Sequence, residues 1–181
     1  MTAADPPAAK VETVREKPFH WRPMHAGDID DVVRVAASAF PHHFEGRACF
    51  AEGFRLFPDG CFVLASGPTV QGYLIAYPWP LRSIPPLNSL LHQLPAELDT
   101  WYLHDLALHP EARGRGYSRP ILDSLAASAL RRGVHAIALV SVNASLRFWK
   151  SMGFAEVRAE ADLARKLESY GEGSHYMIRK L

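Results

Sequence analysis

Trp101-Tyr102-Leu103-His104-Asp105-Leu106-Ala107-Leu108-His109-Pro110-Glu111-Ala112-Arg113-Gly114-Arg115-Gly116-Tyr117-Ser118 is the stretch on which the reading of this chain turns. Trp101 to His109 has the apolar content of a buried strand and is closed by Pro110. A glycine-arginine turn follows, and then a helix is predicted from about Ser118 to Arg132, ended by Gly133. The first turn of a helix carries unpaired N–H groups and a partial positive charge, so it attracts anions. Gly114 and Gly116 let the backbone approach an oxygen without an intervening Cβ, and Arg113 and Arg115 add charge that suits phosphate. Pro120 sits early enough in the helix to be tolerated. Together these features read as a pyrophosphate cradle. The GxxxxGK[ST] phosphate loop is absent, and a GxGxxG dinucleotide fingerprint fails because Arg119 stands where the third glycine belongs. An exposed turn with solvated arginines is the alternative that this stretch leaves open by itself.

Upstream, the pattern predicts a short strand over 19–24 and a helix from an Asp28 cap to about Phe40, with Ile29, Val32, Val33, Ala36 and Phe40 facing inward. A second helix is expected over 47–57. Pro58-Asp59-Gly60 is a turn, and strands over 61–65 and 70–79 are joined by a hairpin at Ser66-Gly67-Pro68-Thr69. Residues 80–100 are proline-rich and irregular, with a short helix expected over Leu87–His92; a loop of this length is a candidate substrate-facing segment. Downstream come strands over 135–141, 154–157 and 174–181, a helix over 144–152 and a charged segment over 158–170. Strands alternate with helices, yet the first hairpin needs antiparallel pairing. The fold class is therefore α/β or α+β, with helices on the faces of a mixed sheet.

At 181 residues, with 48% hydrophobic and 22% charged residues, the chain has the composition of one folded domain. We assign 1–17 to a flexible N-terminal tail and 18–181 to the domain. Lys and Arg number 20 against 19 Asp and Glu, for a net charge of +1, which argues against a nucleic-acid or membrane partner and for a small molecule. Cys49 and Cys61 are the only cysteines, too few for a disulfide framework or a CxxC site. With no signal peptide or membrane-spanning run, a cytoplasmic location is the expectation, and no metal is expected.

The turn and its surroundings resemble the GNAT superfamily of N-acetyltransferases, whose cofactor signature Q/R-x-x-G-x-G/A is matched by Arg113 to Ser118. A second block in family order, Asn143-Ala144-Ser145-Leu146-Arg147-Phe148-Trp149-Lys150-Ser151-Met152-Gly153-Phe154, makes the likeness more specific than either block alone. The resemblance spans roughly 19–181. It implies a mostly antiparallel sheet of about seven strands, split in a V between the fourth and fifth. Acetyl-CoA would be the co-substrate: pantetheine along Leu106, Ala107 and Leu108, pyrophosphate on the amides of Gly114, Arg115, Gly116, Tyr117 and Ser118 beside Arg113, and Asn143 and Phe148 on the far side. The acceptor implied is a primary amine of a small molecule, and a homodimer is compatible with the family. Two departures stand out. Ser118 replaces the last Gly/Ala of the signature, and Trp149 replaces the tyrosine that many members use as general acid.

An alkyl amine with a pKa near 10 is neutral in only about one molecule in a thousand at pH 7, so a base is useful, and histidine titrates closest to neutrality. Strand alternation groups Tyr102, His104, Leu106 and Leu108 on one face and puts Asp105 on the other, where it would make a structural hydrogen bond. The serotonin N-acetyltransferase branch of the superfamily carries paired histidines on that face, and Tyr102 and His104 match them. We therefore take His104 as the candidate base, with Tyr102 beside it, and Tyr170 as the candidate acid in place of Trp149. Trp79, Trp101, Tyr102 and Trp149 are candidates to line an acceptor pocket, although aromatics on strands are more often core. His42-His43 read as solvated loop histidines. The other readings are a degenerate CoA-binding module without catalysis, a protein or peptide N-acetyltransferase, and RNA binding at the arginine-glycine turn, which the neutral charge disfavours.

Overall fold

The computed structural model describes residues 19–41, 45–96, 98–142 and 144–181. The tail assigned to 1–17 lies outside the described residues. In chain order the elements are β1 (His20–Pro23), α1 (Ile29–Ala39), α2 (Arg47–Leu56), β2 (Cys61–Ser66), β3 (Thr69–Trp79), β4 (Thr100–Leu108), α3 (Ser118–Arg131), β5 (Ala136–Ser141), α4 (Leu146–Ser151), β6 (Ala155–Glu156), α5 (Ala161–Glu168) and β7 (His175–Lys180). They form one seven-stranded sheet in the order β1-β2-β3-β4-β5-β7-β6. Every neighbouring pair is antiparallel except β4 with β5.

Local sequence accounts for most of these elements. Ile29, Val32, Val35 and Ala36 recur at helical spacing and are all buried, so α1 lies against the sheet. Asp28 precedes this helix, but its carboxylate does not cap it. It turns back to accept both Arg22 guanidinium nitrogens at 2.7 Å and the His25 amide at 2.9 Å, tying β1 to α1. Burial opposes this charge, yet the Arg22 hydrogen bonds outweigh it and hold the carboxyl below the usual range. The β2–β3 hairpin closes where expected, with Gly67 at φ +59° in the turn.

Apolar side chains occupy both faces of the sheet. On one, Val32 of α1, Phe50 of α2 and Leu163 of α5 pack with Val63, Tyr73 and Tyr102. On the other, Leu122 and Leu125 of α3 and Trp149 of α4 pack with Leu74, Trp101 and Leu139. Helices thus cover both faces, as the alternation of elements required.

One expected element is absent. Residues 87–92 form turns and irregular chain rather than a short helix. Asn88 and His92 have φ of +45° and +61°, and the amides of Asn88, Leu91 and His92 donate to carboxylates of Glu45 and Glu52 instead of to a helical ladder. Tertiary partners outcompete local propensity here.

Gly72 of β3 faces Leu108 of β4, and a Cβ on it would stand 2.5 Å from Leu108 Cδ2 and 2.8 Å from the Ala107 carbonyl oxygen. Gly72→Ala is expected to lower the free energy of unfolding by about 1–3 kcal/mol, the range for overpacking. Urea unfolding measures this, and an unchanged midpoint would show that β4 can move aside freely.

Candidate active site

Strands β4 and β5 pair only at Trp101 with Ile137 and Tyr102 with Ala138. Beyond these residues they diverge, leaving a cleft of about 240 Å³ whose walls include His104 to Leu108 on one side and Leu139 and Val140 on the other. Backbone groups of β4 that face the split lack a neighbouring strand, so a ligand with amide groups can complete their hydrogen bonding. The Leu108 carbonyl is already engaged, because Arg113 Nε donates to it at 2.8 Å. That bond folds Arg113 over the mouth of the cleft. Leu106 and Ala107 also line the cleft, as do Ser145, Phe148 and Trp149 from the far side.

Arg113, which lines the cleft, opens the turn that precedes α3. Gly114 and Gly116 adopt φ of +72° and +80°, the left-handed region open to glycine, with free space where a Cβ would point. Arg115 and both glycines are exposed, and Tyr117 and Ser118 half-buried. No side chain caps α3 at Tyr117, and the first amides of a helix have no acceptor within it. The turn is braced from behind: Trp21 Nε1 donates to the Tyr117 carbonyl at 2.8 Å, and Phe19 stacks edge-on against the Tyr117 ring. These are the features of an anion site held by backbone amides.

A bulge in β4 changes the expected parity. Ile75 pairs with Asp105, but Ala76 pairs with Leu103, so β4 holds one extra residue at His104. His104 and Asp105 consequently lie on the same face, and the expectation that Asp105 points away is corrected. Leu106 no longer shares the face of Tyr102 and packs with the α3 side of the core. Asp105 does make a hydrogen bond, accepting the Tyr73 hydroxyl at 2.8 Å.

Glu45, which sequence reasoning did not single out, completes the group. It comes from the segment between α1 and α2, and its Oε2 lies 2.7 Å from His104 Nε2. Its Oε1 accepts the Asn88 amide at 2.8 Å, and the other ring nitrogen of His104 lies 3.2 Å from the Tyr77 hydroxyl. Both side chains are largely enclosed, with exposures of 12% for His104 and 6% for Glu45. Ligand-type atoms of Glu45, His104 and Asp105 all fall within 4.8 Å of one another. Burial disfavours the imidazolium, but the Glu45 charge outweighs it and raises the His104 pKa to about 9; Glu45 is held below its ordinary value by the same pairing. The pair is therefore ionic at neutral pH. A single acid between Phe44 and Gly46 carries no local motif that could have flagged it.

Tyr102 and Tyr170 are brought together with His104 around a second, inner cavity. The Tyr102 hydroxyl donates to that of Tyr170, which in turn donates to the Pro85 carbonyl at 3.1 Å. Burial pushes both phenols above their ordinary values, so they stay protonated. Trp149 turns its indole N–H to Ser145 Oγ at 3.1 Å, inside the structure. Of the aromatics considered for an acceptor pocket, Tyr102 lines the inner cavity, Trp101 belongs to the core beside α3, and Trp149 borders the cleft. Asn143, His42 and His43 lie outside the described residues.

A model of the acetyltransferase (GNAT) family matches residues 29–154. No curated protein matches the sequence significantly. Similar solved structures include the loading GNATL domain of CurA from Lyngbya majuscula, at TM-score 0.75 and 11% identity over 91% of this chain and 98% of that one. The GphF GNAT-like decarboxylase in complex with isobutyryl-CoA aligns at TM-score 0.74 and 16% identity, over 89% of this chain and 98% of that one. Ard1 from Thermoplasma volcanium aligns at TM-score 0.67 and 15% identity, over 91% and 99%. At these identities the likeness establishes the fold.

The ion pair gives stability a defined pH dependence. A histidine whose folded pKa is raised from 6.5 to about 9 contributes stability that is complete below pH 6.5 and is lost as the pH rises through 9. His104→Gln is therefore expected to lower Tm relative to the parent most strongly near pH 6, with the gap narrowing by about pH 9.5. A gap that widened toward alkaline pH, followed by calorimetry, would contradict the ionic pairing.

Proposed function

Because the chain belongs to the acetyltransferase (GNAT) family, we propose that it transfers the acetyl group of acetyl-CoA to a primary amine of a small molecule by direct attack in a ternary complex. The observation that carries this reading is the parting of β4 from β5 after two residue pairs, which opens a cleft lined by Arg113, the residue that enters the glycine turn before the uncapped start of α3. A thioester of CoA supplies an acyl group activated toward amines. The amides of Gly114 to Ser118 would hold the diphosphate, with Arg115 adding charge, and Leu106 and Ala107 would bond pantetheine. Phe148 packs along the opposite wall. The similar fold of a GNAT-like decarboxylase means that architecture alone does not choose the reaction. The choice of amine transfer rests on a proton-handling group at the inner end of the cleft.

His104 is that group. It borders the cleft and the inner cavity alike, so an amine in the cavity and a thioester in the cleft meet beside it. With a pKa of about 9 the imidazole is neutral in about one molecule in a hundred at pH 7, and in that form it takes the amine's proton. The amine nitrogen then attacks the carbonyl carbon, and the carbon–sulfur bond breaks. A β4 amide near Leu106 would steady the oxyanion. The thiolate can leave unprotonated at a cost of about 2 kcal/mol at pH 7, given a thiol pKa near 8.5. Tyr170, which lines the inner cavity, would be the phenol that protonates it, after exchanging its bond to Pro85.

A CoA-binding module without catalysis is the second reading, favoured by the absence of a phenol at Trp149 and the inward turn of its indole. Both readings expect CoA binding, and Gly116→Val should weaken it at least about tenfold by straining a left-handed turn, as calorimetry would show. They part on turnover. Incubation with acetyl-CoA and a panel of amines, following free thiol, is expected to give amine-dependent release; binding without release on any amine or peptide would establish the module.

The pH profile tests His104 directly. Turnover should rise with pH and level off near 9, and Glu45→Gln should move that inflection down by at least about one unit, because burial of His104 is then opposed only by the smaller effect of the Asp105 charge. An inflection unmoved by Glu45→Gln would assign the profile to another group.

A further inference from the structure

The chain between β3 and β4 is held in two different ways. At Ile84 and Pro85 it is anchored: Ile84 is buried, and the two carbonyls accept Lys166 Nζ at 2.9 Å and the Tyr170 hydroxyl at 3.1 Å. Residues 86–92, which follow, lie at the surface, with Pro86, Asn88, Ser89, Leu90 and His92 exposed and Leu87 and Leu91 half-buried. Little apolar area ties this stretch down, as in segments that open locally while the rest of a fold stays closed. Its fastenings are polar. The amides of Leu91 and His92 donate to the Glu52 carboxylate of α2 at 2.5 and 3.1 Å, and Arg55 donates to the His92 carbonyl at 3.2 Å. Asn88 donates its amide to Glu45 Oε1 at 2.8 Å and accepts the Gly46 amide on Oδ1 at 2.9 Å.

Glu45 therefore stands between this strap and the imidazole, with Oε1 held by Asn88 and Oε2 2.7 Å from His104 Nε2. Leu87 lines the inner cavity, while Pro86, Ser89 and Leu91 line a further cavity of about 20 Å³ that Glu45 and His104 also border. The other titratable groups around His104 are Tyr77 of β3, Tyr102 and Asp105 of β4, Tyr170 beyond α5, and Cys49 and Glu52 of α2. Burial pushes the three phenols and the Cys49 thiol up, so they stay neutral at pH 7. The charges that act on His104 are those of Glu45 and Asp105. Asp105 shares β4 with His104 and stays beside it whatever the strap does, whereas Glu45 is held from the strap.

Resting on the transferase reading above, we propose that residues 86–92 form a strap whose docking on Glu52 and Glu45 holds Glu45 against His104, so that lifting the strap frees the imidazole to act as base. When Asn88 leaves, Glu45 loses its anchor and turns to water, and the imidazolium gives its proton to the solvent let in beside it. Leu87 leaves the wall of the inner cavity in the same movement, so that the cavity opens and the base is freed in one event. Loss of the pairing lowers the proton affinity of His104 in either environment: an enclosed imidazolium without Glu45 is disfavoured by burial, and a wetted one returns toward 6.5. Asn88 and Glu52 act through Glu45 and are positioning residues.

The test follows His104 by NMR of the full chain without ligand across a pH series, its signal assigned among the nine histidines by its loss in His104→Gln. The parent is expected to titrate near 9. Glu52→Ala unfastens Leu91 and His92 and is expected to lower that inflection by at least about one unit, although Glu52 is not one of the charges acting on His104. Glu52→Gln keeps an oxygen acceptor for the strap and is expected to stay within about half a unit of the parent. Asn88→Gly tolerates the φ of +45° and deletes the tie to Gly46, and is expected to lower the inflection by at least about half a unit. An inflection that Asn88→Gly or a folded Glu52→Ala leaves unmoved overturns the proposal. An equal fall in Glu52→Gln and Glu52→Ala also overturns it, by assigning the effect to charge alone, as does a parent that titrates below pH 7. The titration needs no turnover, so the two readings fail separately: lowered inflections in a chain that releases no thiol with any amine retain the strap and remove the transferase.

Discussion

Parallel pairing between β4 and β5 ends after Trp101–Ile137 and Tyr102–Ala138, and the backbone left without a partner strand defines what this molecule can bind. Unpaired strand edges inside a sheet are costly unless something completes them. Elsewhere the sheet is continuous: β5 goes on to pair with β7 along its whole length, from Ala136 to Ser141. The opening is therefore one-sided, held by β3 behind β4 and by β7 behind β5. Such a slot suits a slender ligand that supplies its own amides, and Arg113 in its wall is the residue that enters the glycine turn before α3.

The bulge at His104 is the second local irregularity with a large effect. A regular strand would have sent His104 and Asp105 to opposite faces. One extra residue puts both toward α1 and α2, where Glu45 arrives from a separate part of the chain. The result is a buried ionic pair with a further carboxylate alongside. Buried ion pairs are seldom a net source of stability, so the pairing of His104 with Glu45 makes better sense as control over a proton than as reinforcement of the core.

Glu45 also links this proton to the segment between β3 and β4. One carboxylate oxygen faces His104 and the other takes the Asn88 amide. Movement of that segment would therefore change what surrounds the imidazole. The proline-rich stretch, a candidate substrate-facing segment, has a physical link to this pair: its Leu87 lines the inner cavity and its Asn88 amide bonds the carboxylate that faces His104.

The chain's own pattern was enough for the alternation of strands and helices, the hairpin at Gly67, the end of α3 at Gly133 and the glycine-arginine turn, because each depends on periodicity or on backbone freedom within a few residues. His104 is singled out by its titration range and by resemblance, and folding places it beside both the cleft and the inner cavity. The pattern was not enough for the parity of Asp105, since a bulge is decided by how two strands fit and not by either alone. Glu45 was illegible for a related reason, as its partner lies 59 positions away and nothing local marks it. The short helix expected over Leu87–His92 gave way to bonds with Glu45 and Glu52, which only packing against α2 and the segment before it could supply. Local geometry is written in neighbouring residues, whereas the charge state of a buried group is set by whichever segments tertiary folding brings against it.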